Sequence, residues 1–241
     1  MASKIPVLEI FGPTIQGEGM VIGKKTMFVR TAGCDYACSW CDSAFTWNGE
    51  EKSRIALMTA EEIFRKLKET GGENFSHVTI SGGNPLLLKG LGELVDLLKT
   101  HHIRTAVETQ GSRWQNWLPD VDDVTISPKP PSSGMHTDFE ALDWMIGQLT
   151  MVGSHFCLKI VVFDEEDFDY AKKIHKRYPP VPFYLQVGNP DVTLPDRDAL
   201  AKMLTGRYEW LINLALQAEE MNDAYVLPQL HALVWGNKRG V

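Results

Sequence analysis

Gly33 to Ser43 reads GCDYACSWCDS, which places Cys34, Cys38 and Cys41 within eight residues and no fourth cysteine nearby. A cubane iron–sulfur cluster has four irons, so three thiolates leave one iron without a protein ligand. An open position is where a metal centre does chemistry, whereas a closed ligand set serves the fold. Other uses of the cysteines fit less well. Zinc normally takes four ligands, usually from two C-x-x-C-like pairs, and no second pair exists. His77, the nearest downstream histidine, falls in the lead into a buried strand. A ferredoxin cluster uses a closer four-cysteine run. Three clustered thiols cannot all pair as disulfides among themselves. Cys157 sits in the apolar run HFCLKIVVF and reads as a small core residue rather than a ligand.

The chain around this loop is long enough, at 241 residues, for one large α/β domain over residues 1–241. About 70% of the extended surface is buried on folding at that size. The net charge of −7, from 24 basic and 31 acidic side chains, argues against a protein that grips nucleic acid through phosphates. The start, MASKIPVLEIFGP, lacks the apolar run of a signal peptide, and no stretch approaches a membrane span. A cytoplasmic location follows as an expectation, where thiols stay reduced and can bind iron.

Strand and helix patterns alternate outward from the loop. Val7 to Phe11 reads as a short strand closed by Gly12-Pro13, and Thr26 to Thr31 as the strand that delivers the cysteines. Thr59 and Glu62 form a capping box for AEEIFRKLKET, whose Ile63, Phe64 and Leu67 share a face and which Gly71-Gly72 end. His77 to Ser81 is a strand and LGELVDLLKTHH an amphipathic helix. Strands follow at Ile103 to Thr109 and Asp123 to Ser127, then a helix around Thr137 to Leu149. Cys157 to Phe163 is a strand, Glu165 to Arg177 a helix, Pro182 to Val187 the sixth barrel strand, and Pro195 to about Glu220 a long helix. Repeated βα units imply a parallel sheet with right-handed crossovers. Six such strands predict a partial, laterally open (β/α)6-type TIM-like barrel. Active sites of such barrels lie at the C-terminal strand ends, where SGGNP, ETQG and SPKP all fall.

The C-x3-C-x2-C loop joined to SGGNP (Ser81 to Pro85) resembles the radical S-adenosylmethionine (SAM) superfamily, with Asn84 in place of the glutamate of its Gly-Gly-Glu-Pro motif. PTIQGEG (Pro13 to Gly19) and MFVRTAGC narrow the resemblance to the 7-carboxy-7-deazaguanine synthase family, over Glu9 to about Asn189. The resemblance implies a [4Fe-4S] cluster on Cys34, Cys38 and Cys41, with SAM on the open iron. Trp40 would border the SAM adenine, and Gly82 and Gly83 would let main-chain carbonyls reach its ammonium. Glu108 suits its ribose hydroxyls or its ammonium, and Ser127, Pro128 and Lys129 its carboxylate or ribose, with Gln186 and Asn189 as weaker candidates. Ile15, Gln16, Gly17, Glu18, Arg30 and Ser81 match the family's pterin contacts, and His231 matches them loosely. A guanidinium at Arg30 suits a carboxylate. Ser43 matches the hydroxyl residue that contacts Mg2+, an ion that takes hard oxygen ligands.

What the resemblance implies is a lyase of queuosine and deazapurine biosynthesis. It would convert 6-carboxy-5,6,7,8-tetrahydropterin to 7-carboxy-7-deazaguanine with loss of ammonia. A flavodoxin or ferredoxin would reduce the cluster, and SAM would break to methionine and a 5′-deoxyadenosyl radical. That radical would take hydrogen from C6 of the pterin and later return it, so that SAM is reused, while Mg2+ orients the substrate carboxylate during ring contraction. A homodimer is implied too. Two alternatives stay open from the residues: a glycyl-radical activating enzyme, which shares the cluster spacing, and a non-catalytic iron–sulfur electron carrier.

Overall fold

The computed structural model describes residues 2–241, so only Met1 of the expected unit lies outside it. Nine strands are present among the described residues: β1 (Ile5–Ile15), β2 (Lys25–Thr31), β3 (Ala56–Met58), β4 (His77–Gly82), β5 (Arg104–Thr109), β6 (Asp123–Ile126), β7 (Phe156–Val162), β8 (Phe183–Val187) and β9 (Tyr225–Leu227). Six helices accompany them: α1 (Ala60–Gly71), α2 (Leu91–Thr100), α3 (Phe139–Met151), α4 (Glu165–Arg177), α5 (Arg197–Gln217) and α6 (Leu230–Trp235). One sheet joins the strands in the order β3-β1-β2-β4-β5-β6-β7-β8-β9, and its two edges do not meet. β2 and β4 to β9 run parallel, while β1 is antiparallel to β2 and β3 to β1. This is the open α/β barrel expected from the sequence, extended at both edges.

The extensions are where the sequence reading needs correction. β1 does not stop at Gly12-Pro13 but continues to Ile15. Between the pairs Phe11–Phe28 and Thr14–Thr26 it uses one residue more than β2, a bulge that carries the strand past the proline. The proline is tolerated because a bulge interrupts the ladder that its missing N–H would have joined. β9, three residues long, adds a seventh parallel strand beside β8. α1 and α4 start where the sequence predicts, α3 and α5 two residues later than expected, and α6 is an addition. Thr59 accepts from the Glu62 amide at 3.2 Å, and the Glu62 carboxylate accepts from the Thr59 amide at 2.7 Å. Asp138, Asp164 and Asp196 cap α3, α4 and α5 through side-chain oxygens that accept from first-turn amides, without the reciprocal bond.

Two-residue periodicity sorts the parallel strands into two faces. Val29, Ile80, Val107, Ile126, Leu158, Ile160 and Leu185 belong to one buried apolar cluster with Ile63, Leu67, Leu94 and Leu98 of the helices. Each fully buried leucine there contributes about 1.5–3 kcal/mol relative to exposure. The alternate residues include Arg30, Ser81, Glu108, Thr125, Lys159 and Gln186. That second face is polar and looks into the barrel.

Candidate active site

The polar face and the loops at the C-terminal strand ends enclose a cavity of about 460 Å3. Cys34, Cys38, Trp40, Cys41 and Ser43 line it from the cysteine loop, and Ile15, Gln16, Gly17 and Glu18 from the end of β1 and beyond. Arg30, Ser81, Gly82, Gly83, Glu108, Lys129, Asn189 and His231 line it as well. Three expected residues do not line the cavity. Ser127 and Pro128 are buried behind Lys129, whose ammonium donates to the Ser127 hydroxyl at 3.2 Å. Gln186 is buried too, and its Oε1 accepts from the Gly19 amide at 3.4 Å.

The cysteine loop is held by its neighbours along the sheet. The Gly33 amide donates to the Thr46 carbonyl at 2.9 Å, and the Gly33 carbonyl accepts from the Asn84 amide at 2.9 Å. A side chain on Gly83 would place its Cβ 2.1 Å from the Gly33 oxygen and 2.8 Å from the Cys34 Cβ. Gly82, at φ +137°, would meet the Thr31 oxygen at 2.2 Å. The glycine pair therefore lets the loop after β4 lie directly against the cysteine loop.

Asp35 ties the same loops through side chains. Its carboxylate accepts from Asn84 Nδ2 at 2.9 Å, Gln110 Nε2 at 2.6 Å, Ser112 Oγ at 2.8 Å and Arg113 Nε at 3.2 Å. Burial pushes this carboxyl up, but the bonds from Asn84 and Ser112 prevail and hold it below its ordinary range. Asn84 is fully buried, and its Oδ1 accepts from the Leu86 amide and the Thr109 hydroxyl. With Nδ2 donating to Asp35 and Ser112, all four hydrogen-bonding capacities of the amide are used.

The three thiols fit a metal cluster as a donor set: all are free, partly buried and on one cavity wall. Burial pushes each of them up, Cys38 to about 11, so binding iron releases protons. N–H groups reach two of the sulfurs, with the Tyr36 amide donating to Cys34 Sγ at 3.4 Å and the Trp47 indole Nε1 to Cys41 Sγ at 3.5 Å. Trp40 packs on Phe163 with ring centroids 4.8 Å apart, and Lys129 Nζ lies 5.8 Å from the Trp40 ring centre.

Across the cavity, Gly17 is pressed against the last helix. A Cβ there would lie 2.3 Å from His231 Nδ1, and the Leu230 amide donates to the Gly17 carbonyl at 3.0 Å. This contact fixes His231 beside Glu18, with Nδ1 3.9 Å from Oε1. Glu18 also accepts from Gln229 Nε2 at 3.0 Å and from Lys159 Nζ at 2.7 Å. Burial pushes the Glu18 carboxyl up, but Lys159 and then His231 overcome it and hold the group far below its ordinary range. Burial likewise opposes the Lys159 charge, and Glu108 and Glu18 raise its pKa regardless. Both partners thus favour the ionised pair.

Several contributors were not singled out in the sequence. Asp42 joins Glu18 and His231 in a group whose ligand atoms lie within 4.8 Å of one another, and it accepts from the Ser43 hydroxyl at 2.8 Å. The tail Gly236 to Val241 lines the cavity as well. Its Arg239 pairs with Glu51 through two contacts of 2.6 Å and with Glu9 at 2.5 Å, and stacks 3.5 Å over Phe45. Arg30 Nε lies 3.3 Å from Glu9, with its guanidinium 5.4 Å from the Phe11 and Phe45 ring centres. Asp42 carries a readable sign in the sequence, an acid directly before Ser43; the tail carries none.

The family model described as the Radical SAM superfamily matches residues 28–128. A 7-carboxy-7-deazaguanine synthase of Bacillus cereus is 65% identical over 239 residues, covering 99% of this chain and 100% of that protein. One from Bacillus subtilis is 60% identical over 243 residues, with 100% of both covered. Among solved structures, QueE from Escherichia coli superposes with a TM-score of 0.70 at 22% identity, over 95% of each chain. Streptococcus suis SuiB bound to S-adenosylmethionine superposes with a TM-score of 0.57 at 15% identity, over 83% of this chain and 49% of that one. These two show the likeness of fold.

Proposed function

The chain belongs to the 7-carboxy-7-deazaguanine synthase family, and from that premise we propose how its cavity divides the work. The activity is that of a radical SAM lyase: ring contraction of 6-carboxy-5,6,7,8-tetrahydropterin to 7-carboxy-7-deazaguanine with release of ammonia. The observation that carries the division of labour is that the three thiols share one cavity with Arg30 and Glu18. When bound, the cluster and SAM supply a carbon radical by one-electron cleavage of a sulfonium. Everything else is the chain's task.

Cys34, Cys38 and Cys41 hold the cluster. The carbonyls of the Ser81–Gly83 turn and the Lys129 ammonium take the amino-acid end of SAM, Glu108 its ribose, and Trp40 its adenine. Asn189 closes that side. Ser127, Pro128 and Gln186 act from behind the wall by fixing Lys129 and Gly19. On the substrate side, Ile15, Gln16 and Gly17 offer backbone edges to the pterin ring. Glu18, held ionised, accepts from its N–H groups, His231 packs beside it, and Ser81 borders it. Arg30 pairs with the substrate carboxylate. Stacked aromatic and guanidinium groups, with the tail, keep water out.

Mg2+ belongs beside Ser43, where Asp42 adds a second hard oxygen. Ser43→Ala should raise the magnesium needed for half-maximal rate by roughly tenfold or more. An unchanged magnesium titration would remove the serine from the metal site. Arg30→Ala should weaken pterin binding by about 2–4 kcal/mol, or roughly 30- to 700-fold in Kd, and leave SAM binding intact. Equal loss of both ligands in calorimetry would contradict the assignment.

The whole chain acts as one catalytic domain, works as a homodimer, and takes its electron from a flavodoxin or ferredoxin. Among the described residues no helix is long and apolar enough to cross a membrane. A thiolate-held cluster suits the reducing cytoplasm. The overall test is anaerobic incubation of reconstituted protein with SAM, dithionite, Mg2+ and the carboxypterin. Mass spectrometry should find the deazapurine, and its absence would overturn the reading.

A further inference from the structure

Lys159 is 1% exposed, among the bulkiest fully buried side chains of the described residues, and it stands on the polar face that looks into the barrel. It stands on the inward face of β7, with Cys157 and Val161, while its strand neighbours Leu158 and Ile160 join the apolar core. An ammonium so buried is tolerated only when it is paired. One carboxylate would neutralise it, yet two converge: Glu18 Oε2 at 2.7 Å and Glu108 Oε1 at 2.7 Å. They come from different walls, Glu18 from the segment after β1 and Glu108 from the end of β5.

We infer that Lys159 is a positioning residue that ties the substrate-side carboxylate of Glu18 to the cofactor-side carboxylate of Glu108, and so sets the spacing between pterin and SAM. The inference rests on the division of the cavity given above. Hydrogen transfer between two bound molecules needs the reacting atoms within about 3–3.5 Å, and a misplacement of about 1 Å costs on the order of a hundredfold. Without a cation between them, the two carboxylates repel and the walls they belong to relax apart. Gln229 and His231 hold only the other oxygen of Glu18, so neither replaces the link.

Lys159→Met removes the charge and keeps the length of the side chain. The discriminating readout is the ratio of 5′-deoxyadenosine to 7-carboxy-7-deazaguanine in anaerobic turnover. Positioning predicts that SAM cleavage continues while the ratio rises at least about tenfold. Calorimetry on the full chain should show weaker binding of pterin and SAM together. Lys159→Gln, uncharged and one atom shorter, keeps an N–H donor but cannot hold both carboxylates as the ammonium does, so it should bring the ratio only part of the way back. A folded Lys159→Met protein with the wild-type ratio and both affinities would overturn the inference. Should that variant fail to fold, Lys159→Gln decides: a raised ratio supports the link, and a wild-type ratio refutes it. Glu18→Gln and Glu108→Gln separate the two levels. If neither weakens its own ligand, the division of the cavity is wrong; if each does while Lys159→Met changes nothing, only the link is wrong.

Discussion

Alanine at Cys34, Cys38 or Cys41 is expected to abolish reductive cleavage of SAM and to lower the iron bound per chain. The three thiols share one wall of the cavity, and no spare thiol stands within reach. Cys157 is the single other cysteine, and it is fully buried on β7 with its sulfur 3.6 Å from the Thr125 hydroxyl. Burial pushes its thiol up to about 12, the opposite of what a metal-binding thiolate requires. Cys157→Ala should therefore leave iron content unchanged. Iron analysis, electron paramagnetic resonance after dithionite and chromatography of 5′-deoxyadenosine would check these results. Cleavage that survives loss of any of the three would refute the ligand assignment, as would a fully protein-ligated cluster.

How much of this was legible in the sequence depends on the range of the interaction. Six of the seven parallel strands and the helices between them are readable because each carries a local period, whereas the three residues of β9 are too few to show one; the capping box at Thr59 needs only three residues of context. A proline is a local stop, so the sequence alone ends β1 at Gly12-Pro13, whereas the bulge that passes it depends on β2. Most of the cavity wall followed from the position of motifs at strand ends. Lys159 was within reach of the same reasoning. A lone cation in the run CLKIVV falls on the alternate face of a buried strand, and such a charge demands a partner. Nothing local named Glu18 and Glu108 as those partners, since they lie on other elements. The tail is the extreme case. Arg239 meets Glu9, Glu51 and Phe45 only because the folded chain returns its end to the cavity. Polar ties of that range leave no periodic trace.

Asn84 is the place where the chain departs from the Gly-Gly-Glu-Pro pattern, and restoring the pattern is expected to damage the protein. Asn84→Glu keeps oxygens that can accept from the Leu86 amide and the Thr109 hydroxyl. It loses the two donations from Nδ2, to Asp35 at 2.9 Å and Ser112 at 3.2 Å. A second carboxylate then faces Asp35 at a fully buried position. An uncompensated buried charge costs about 3–5 kcal/mol, which lowers the melting temperature of the cluster-free protein by roughly 6–20 °C for a chain of this size. Because Asp35 follows Cys34 directly, iron loading should fall with it. The cause is charge complementarity and not volume, so adding Asp35→Asn to Asn84→Glu returns a donor to the pair and should recover most of the melting temperature. Asp35→Asn alone should cost less than Asn84→Glu, because it removes a charge rather than adding one. Calorimetric melting of the three variants decides the matter. If Asn84→Glu melts like the wild type, or if the double variant is no better than Asn84→Glu, then the bond between Asn84 and Asp35 is not what holds the cysteine loop against β4.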